Sequence, residues 1–345
     1  MAMTPPASAP DACDVIFQLL MPKTRPASFI APHEMMVACP DTAAEPETKA
    51  VGELRFSDLD EIAELGAGAC GEVTKVRLRG SSAVFALKIA YYDNNDPEGE
   101  MVVLRRVAQS GSPYIVGCHA TFRSPADEPA MLLELMDAGS LSRVVRSRGG
   151  RGLPEPALAE VAARCLAGLV HLHSRGVAHL DLKPDNILAN SRGDVKICDF
   201  SVSRIFLGPD GESRQVSISV GSSEYMSPER FKPNAHAGPH GACAADVWGL
   251  GITVMELFLG DTPILPADVT SSWDKLMEVI LYGKPPSFPE SSSASGELRG
   301  FVTSCLQKDP KQRSTVAQLL AHPFVARRDA EASRHQLREI IVETM

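Results

Sequence analysis

A chain of 345 residues with 44% hydrophobic and 22% charged content can bury one large core or two joined ones, which excludes disorder throughout. Its formal net charge of −9 excludes nucleic acid as the main partner, because counterion release needs clustered Lys and Arg that the sequence lacks. The eight cysteines are scattered with no CxxC pair, which reads as reduced thiols in a cytosolic protein and not as a disulfide frame or a zinc site.

Residues 1–56 are rich in Pro, Ala and Thr without sustained apolar periodicity and read as a disordered extension. The apolar run Val15 to Met21 follows aspartates and not a basic region, so no secretory signal is expected, and no stretch is expected to span a bilayer. Leu54 to Leu65 alternates as a strand and leads into Gly66-Ala67-Gly68-Ala69-Cys70-Gly71-Glu72-Val73, with a returning strand over Thr74 to Leu78. Glycines at 66, 68 and 71 let a hairpin turn lie over phosphates, since a side chain there would hold the backbone away. A dinucleotide-binding loop would need a helix after the last glycine; the β-branched run here predicts a strand.

Val84 to Ile89 is an apolar strand holding one lysine, Lys88, and a buried lysine needs a phosphate or carboxylate partner. The helix expected over 97–108 offers Glu98 and Glu100; Glu100 precedes an amphipathic run and is chosen for the ion pair. Ala130 to Asp137 predicts another apolar strand joining two lobes, with backbone groups of Glu134 and Met136 toward a bound ring. Helices are expected over 141–148 and 155–174, and His171 and His173 in the second read as structural or exposed.

His179-Leu180-Asp181-Leu182-Lys183-Pro184-Asp185-Asn186, followed by Asp199-Phe200-Ser201, carries the chemistry. It offers a carboxylate to take a proton, a lysine to meet a phosphate, and Asn186 and Asp199 to hold metal ions, the set that phosphoryl transfer requires. The polar segment from Asp199 to Glu229, with Ser213, Ser217, Ser219, Ser222 and Ser223, lacks hydrophobic content to fold alone and suits a switch. A buried helix is expected over 244–259, further helices over 274–325, and the tail 326–345 has Leu337, Ile340 and Ile341 at helical spacing, compatible with a packed or a frayed end.

From about Ser57 to Phe324 these motifs resemble, in order, the eukaryotic protein kinases: the glycine loop, Ala86-Leu87-Lys88, His179 to Asn186, Asp199-Phe200, Ser227-Pro228-Glu229 and Asp246-Val247-Trp248, with Arg313 placed to pair with Glu229. Glu134 to Leu141, Tyr225 to Arg230, Gly283-Lys284-Pro285-Pro286 and Cys305 to Pro310 are similar to plant mitogen-activated protein kinase kinases. The resemblance implies an α+β bilobal fold, with a small antiparallel β-sheet N-lobe over 57–136, a mostly helical C-lobe over 137–325 and a tail over 326–345. It implies a dual-specificity kinase using ATP and Mg²⁺ on Thr and Tyr of a downstream MAP kinase, under an upstream MAP kinase kinase kinase. Asp181 would accept the hydroxyl proton, Lys183 steady the γ-phosphate, Asn186 and Asp199 bind Mg²⁺, and Lys88 with Glu100 contact the α- and β-phosphates. Leu65, Val73, Ala86 and Leu188 would enclose the adenine, with Leu133 behind it. The expected location is the cytoplasm, with the nucleus as a second compartment.

Three departures stand out. Leu180 replaces the arginine that reads a phosphorylated activation loop, which predicts weaker dependence on loop phosphorylation and raises the alternative of a catalytically impaired scaffold. Ser201 replaces a glycine, which predicts a hindered flip of Phe200. Ser213 and Ser219 have the spacing of the plant phosphosites, one place out of register, and no basic docking cluster precedes the domain.

Overall fold

The computed structural model describes residues 54–68, 70–91, 99–108, 111–206, 214–215, 222–231, 239–264 and 273–345. The extension through residue 53 lies outside the described residues, as do Glu98 and Ser213, Ser217 and Ser219. Residues Phe56–Met345 belong to one unit.

Five antiparallel strands open it: β1 (Leu59–Gly68), β2 (Gly71–Leu78), β3 (Val84–Ala90), β4 (Cys118–Arg123) and β5 (Pro129–Leu133), in the order β1-β2-β3-β5-β4. The apolar β3 takes the centre, paired to β2 through Val73↔Lys88 and to β5 through Ala86↔Leu133 and Lys88↔Met131. Strand alternation places Ala86 and Lys88 on one face and Leu87 on the other. Helix α1 (Gly99–Ala108) then buries Met101, Val103, Leu104 and Val107.

Two boundaries differ from expectation. The first strand starts at Leu59, because Phe56–Asp58 close a single 3₁₀ turn. The strand expected over 130–137 stops at Leu133: the Glu134 amide donates to Gly117 O at 2.8 Å and the Ala138 amide to Ala189 O at 3.2 Å, so the chain between them leaves the ladder as a connector.

The larger part is helical: α2 (Leu141–Ser147), α3 (Glu155–Ser174), α4 (Pro239–Leu259), α5 (Trp273–Tyr282), α6 (Gly296–Cys305), α7 (Val316–Leu320), α8 (Pro323–Ala326) and α9 (Ala330–Glu343). Short strands β6 (Gly139–Ser140), β8 (Ile187–Ala189) and β9 (Val195–Ile197) form one ladder; β7 (Val177–Ala178), β10 (Arg204–Ile205) and β11 (Arg214–Gln215) form another. Helix α3 is the spine, with Leu158, Val161, Leu166, Leu169 and Leu172 fully buried. Helix α4 begins earlier than the expected 244, and its segment His240–Leu259 is long and apolar enough to cross a membrane by length and composition, contrary to expectation; 78% of its most apolar window is nevertheless buried within this unit. The end of the loop region is clamped to α4 by Arg313, which donates to both Glu229 oxygens at 2.7 and 3.0 Å and to Ala244 O, as the resemblance implied.

The tail packs. Asp329 caps α9 by accepting the amides of Glu331 and Ala332, and Leu337, Ile340 and Ile341 are buried, with the helix lying against α3. Leu337 is fully enclosed, so Leu337→Ala is expected to lower unfolding free energy by about 2–5 kcal/mol in urea denaturation. An unchanged midpoint would place α9 outside the cooperative core.

Candidate active site

Strand β3, helix α1 and the turn after β9 bring three charged groups together. Lys88 Nζ lies 2.8 Å from both Glu100 oxygens and 2.8 Å from Asp199 Oδ1. Burial works against the Lys88 charge, but the two carboxylates outweigh it and hold the ammonium above its ordinary range. Asp199, despite burial, is held well below the usual carboxylate range by Lys88. Phe200 is buried, edge-to-face with His179 at 5.3 Å, and its amide donates to Glu100 Oε1 at 3.3 Å. The helix, the strand and the Asp199-Phe200 turn are thus locked into one arrangement.

The non-glycine residues with positive φ among those described are Asp127, Leu180 (+66°) and Asp199 (+64°). Ser201 is not one of them, so its Cβ imposes no left-handed strain in this arrangement. Leu180 does carry such strain, typically about 1–2 kcal/mol. Asp246 on α4, fully buried, compensates: it accepts the amides of His179 at 2.9 Å and Leu180 at 2.7 Å, and its Oδ2 lies 2.8 Å from His173 Nε2. The Leu180 side chain packs with Ala178, Phe206, Ala242 and Ala245. Arg230 reaches only its backbone, donating to the Leu180 carbonyl.

One residue on, Asp181 is held on every side. Its Oδ2 accepts from Lys183 Nζ at 2.8 Å and Asn186 Nδ2 at 2.9 Å, and its Oδ1 accepts the Ser222 amide at 2.7 Å. Lys183 also donates to the Ser222 hydroxyl. Sequence reasoning placed Ser222 among the loop serines and missed this contact; its only signal was a position just before the Tyr225-Met226-Ser227 segment. His171 and His173 are structural, bonded to Val107 O and to Asp246.

The glycine loop divides by role. Gly68 pairs with Gly71 at the hairpin end, and Gly71 has φ +142° with a virtual Cβ only 2.2 Å from Ile89 O, so the fold itself demands glycine there. A Cβ on Gly66 or Gly68 would meet nothing within 4 Å, so the fold itself makes no demand for glycine at these positions. Leu65 is half exposed, Val73 and Leu188 are partly buried and Ala86 is nearly buried. At the connector the Glu134 side chain is occupied by Lys196 at 2.6 and 2.8 Å. Among the described residues neither the Glu134 carbonyl nor the Met136 amide has a hydrogen-bond partner, which leaves one acceptor and one donor two residues apart on the backbone.

The donor set suits magnesium. Asn186 spends its Nδ2 on Asp181 and keeps Oδ1, while Asp199 engages Lys88 through Oδ1 and keeps Oδ2. Two hard oxygens match a cation that retains waters and completes its shell with phosphate; no group of three or more His, Cys, Asp or Glu forms a dedicated cage among the described residues.

Two outcomes follow from this geometry. Gly71→Ala should cost more than about 1 kcal/mol in thermal unfolding, because both φ and the carbonyl overlap oppose it, whereas Gly66→Ala should leave melting unchanged. Burial opposes charge on His173, but Asp246 and Cys243 lift it from 6.5 to about 10. With the folded value above the unfolded one, the stability from this pair is complete below pH 6.5 and is lost as pH rises through about 10. The urea midpoint of the native protein should therefore fall more steeply between these limits than that of His173→Gln; parallel profiles would disprove the linkage.

Comparison with known proteins agrees with the geometry. The protein kinase domain matches residues 59–325. Mitogen-activated protein kinase kinase 9 of Arabidopsis thaliana is 40% identical over 275 residues, covering 78% of this chain and 84% of that protein. Mitogen-activated protein kinase kinase 1c of Physcomitrium patens is 35% identical over 288 residues, covering 81% and 80%, and mitogen-activated protein kinase kinase 10 of Arabidopsis thaliana is 36% identical over 289 residues, covering 83% and 90%. A β3 lysine tied to a helix glutamate, a held aspartate in the catalytic loop and this extent of likeness together place the chain in the protein kinase family, among the mitogen-activated protein kinase kinases.

Proposed function

We propose that the chain transfers the γ-phosphoryl group of ATP to Thr and Tyr in the activation loop of a downstream MAP kinase, in answer to an upstream MAP kinase kinase kinase. The observation that carries this reading is Lys88 bonded at once to Glu100 and Asp199 while Asp181 is held by Lys183 and Asn186. Kinases that have given up turnover commonly lack one of these charges; here Lys88 meets Glu100 and Asp199, and Lys183 and Asn186 meet Asp181.

Lys88, oriented by Glu100, would meet the α- and β-phosphates, and Gly66 and Gly68 leave room above them. Leu65, Val73, Ala86 and Leu188 would enclose adenine, with the Glu134 carbonyl and Met136 amide toward its edge. Asn186 and Asp199 would hold Mg²⁺, which supplies charge neutralisation of the phosphates when bound. Asp181 takes the proton of the attacking hydroxyl, and Lys183 carries positive charge beside the transferring group, where the Ser222 hydroxyl fixes it. A cytoplasmic location with nuclear access belongs to the same proposal.

The alternative, a scaffold without turnover, rests on Leu180, Ser201 and the out-of-register serines of the loop. Ser201 has no left-handed backbone strain, and the Leu180 side chain turns into an apolar cluster. Its consequence falls on regulation: losing a charge-assisted hydrogen bond of about 1.5–3 kcal/mol weakens phosphate-driven ordering of the loop about tenfold or more. Ser213 and Ser219 remain the candidate phosphosites of that loop.

Labelled phosphate from ATP and Mg²⁺ should appear on both Thr and Tyr of one member of a panel of kinase-dead MAP kinases, and Asp181→Asn should reduce it by about 10²-fold or more. ATP binding with no labelling of any member would favour the scaffold. Leu180→Arg should make activity more responsive to phosphatase treatment of the enzyme; an unaltered response would remove the regulatory argument.

A further inference from the structure

Away from the cleft, about 20 Å along α3 from His173 by helical rise, lies a polar cavity of about 270 Å³ lined by Tyr114, Glu160, Arg164, Arg328 and Arg334. Glu160 is 3% exposed, yet three guanidinium groups converge on it: Arg164 Nε at 2.8 Å and Arg334 Nε at 3.8 Å from Oε1, and Arg328 Nε at 2.9 Å from Oε2. A tether between α3 and the tail would be complete with Arg328 alone. Three cations on one carboxylate leave an excess of positive charge, only partly offset by Asp194, 3.8 Å from Arg164. This stands out in a chain of net charge −9.

The way the arginines are held is informative. Arg164 and Arg328 donate to Glu160 through Nε, whereas Arg334 Nε donates to Ala330 O at 2.9 Å and stands 3.8 Å from the carboxylate; of the terminal nitrogens Arg328 Nη1 donates to Val325 O. The other Nη groups of Arg328 and Arg164 and both of Arg334 have no hydrogen-bond acceptor among the described residues. Two guanidinium planes fixed by a buried carboxylate and a third fixed by a helix carbonyl, with outer donors left open, make a preorganised receptor for a planar or tetrahedral oxyanion. The basic character continues beside it. Arg338 donates to Ser191 O, and Arg192, 71% exposed at its side chain, flanks Asp194 on the same β8–β9 turn.

We propose that this cavity binds a phosphorylated side chain of a protein partner, a phosphoserine or phosphothreonine in an extended segment that runs along the Arg192 and Arg338 surface. Its volume admits a phosphoryl group and its surplus charge favours a dianion over a single carboxylate. The proposal is independent of the kinase reading, because no residue of the cavity belongs to the catalytic cleft.

The test is fluorescence anisotropy on the full chain at 0.15 M salt. Three labelled degenerate peptides would be compared, with a fixed phosphoserine, serine or glutamate at the centre, and inorganic phosphate as competitor. The phosphoserine peptide should bind at least about tenfold more tightly than the serine one. That gap should close to within about threefold in Arg334→Glu, a variant at a half-exposed position whose melting temperature and kinase activity should match the native protein. Arg334→Gln repeats the test if the reversal of charge disturbs folding. Equal binding of phosphoserine and serine peptides would overturn the proposal, as would a gap that survives in both variants. A glutamate peptide that binds as tightly as the phosphorylated one would reassign the surface to acidic segments, and inorganic phosphate binding as tightly as the phosphopeptide would reduce it to a small-ion site.

Discussion

The Asp246 carboxylate takes no part in chemistry, yet the catalytic loop takes its shape from it. Leu180 sits in left-handed backbone geometry, and a branched side chain would not adopt it unaided. Two amide hydrogen bonds to a fully buried, charged acceptor offset that strain, and His173 from α3 completes the set. The reversal at Leu180 turns Asp181 toward Lys183 and Asn186 and leaves the Leu180 side chain in the apolar cluster beneath the loop. The carboxylate thus joins α3, α4 and the catalytic loop, and the reacting groups are only as rigid as that junction.

A second constraint is electrostatic. Lys88 is the only cation in contact with both Glu100 and Asp199 among the described residues, and the three are largely buried. A buried carboxylate without a partner is costly, so helix α1 and the Asp199-Phe200 turn are both drawn to one ammonium. Two carboxylates on one ammonium leave an excess of negative charge, which a divalent cation would meet. The relative placement of strand, helix and turn is therefore a consequence of this ion cluster.

The regulatory surface differs in kind from the catalytic one. Where the wider family has an arginine before the aspartate of this loop, this chain has an apolar contact, and among the described residues the guanidinium of Arg230 donates to a backbone carbonyl. Three arginines gather elsewhere, between α3 and the tail. The tail supplies apolar side chains from α9 to the core and Arg328 and Arg334 to that cavity, which links the integrity of the fold to a surface remote from the cleft.

Much of this was legible in residue order. Strand alternation and helical periodicity marked out most strands and helices, because these patterns are local, while the glycine loop and the run from His179 to Asn186 carried the resemblance that implied the kinase fold. Helix α3 was placed with its observed ends because twenty residues of amphipathic pattern overdetermine it. Strand ends were less legible: whether Glu134 continues β5 depends on Gly117, which competes for its amide. The long apolar α4 carries the composition of a membrane segment, and only its neighbours make it a core helix. The contacts of Ser222 with Asp181 and Lys183, the backbone role of Asp246, the ordinary geometry of Ser201 and the convergence of three arginines on Glu160 were decided by the tertiary structure alone. Each joins residues far apart in the chain or depends on a φ angle. Sequence determines which charges exist; packing determines which of them meet.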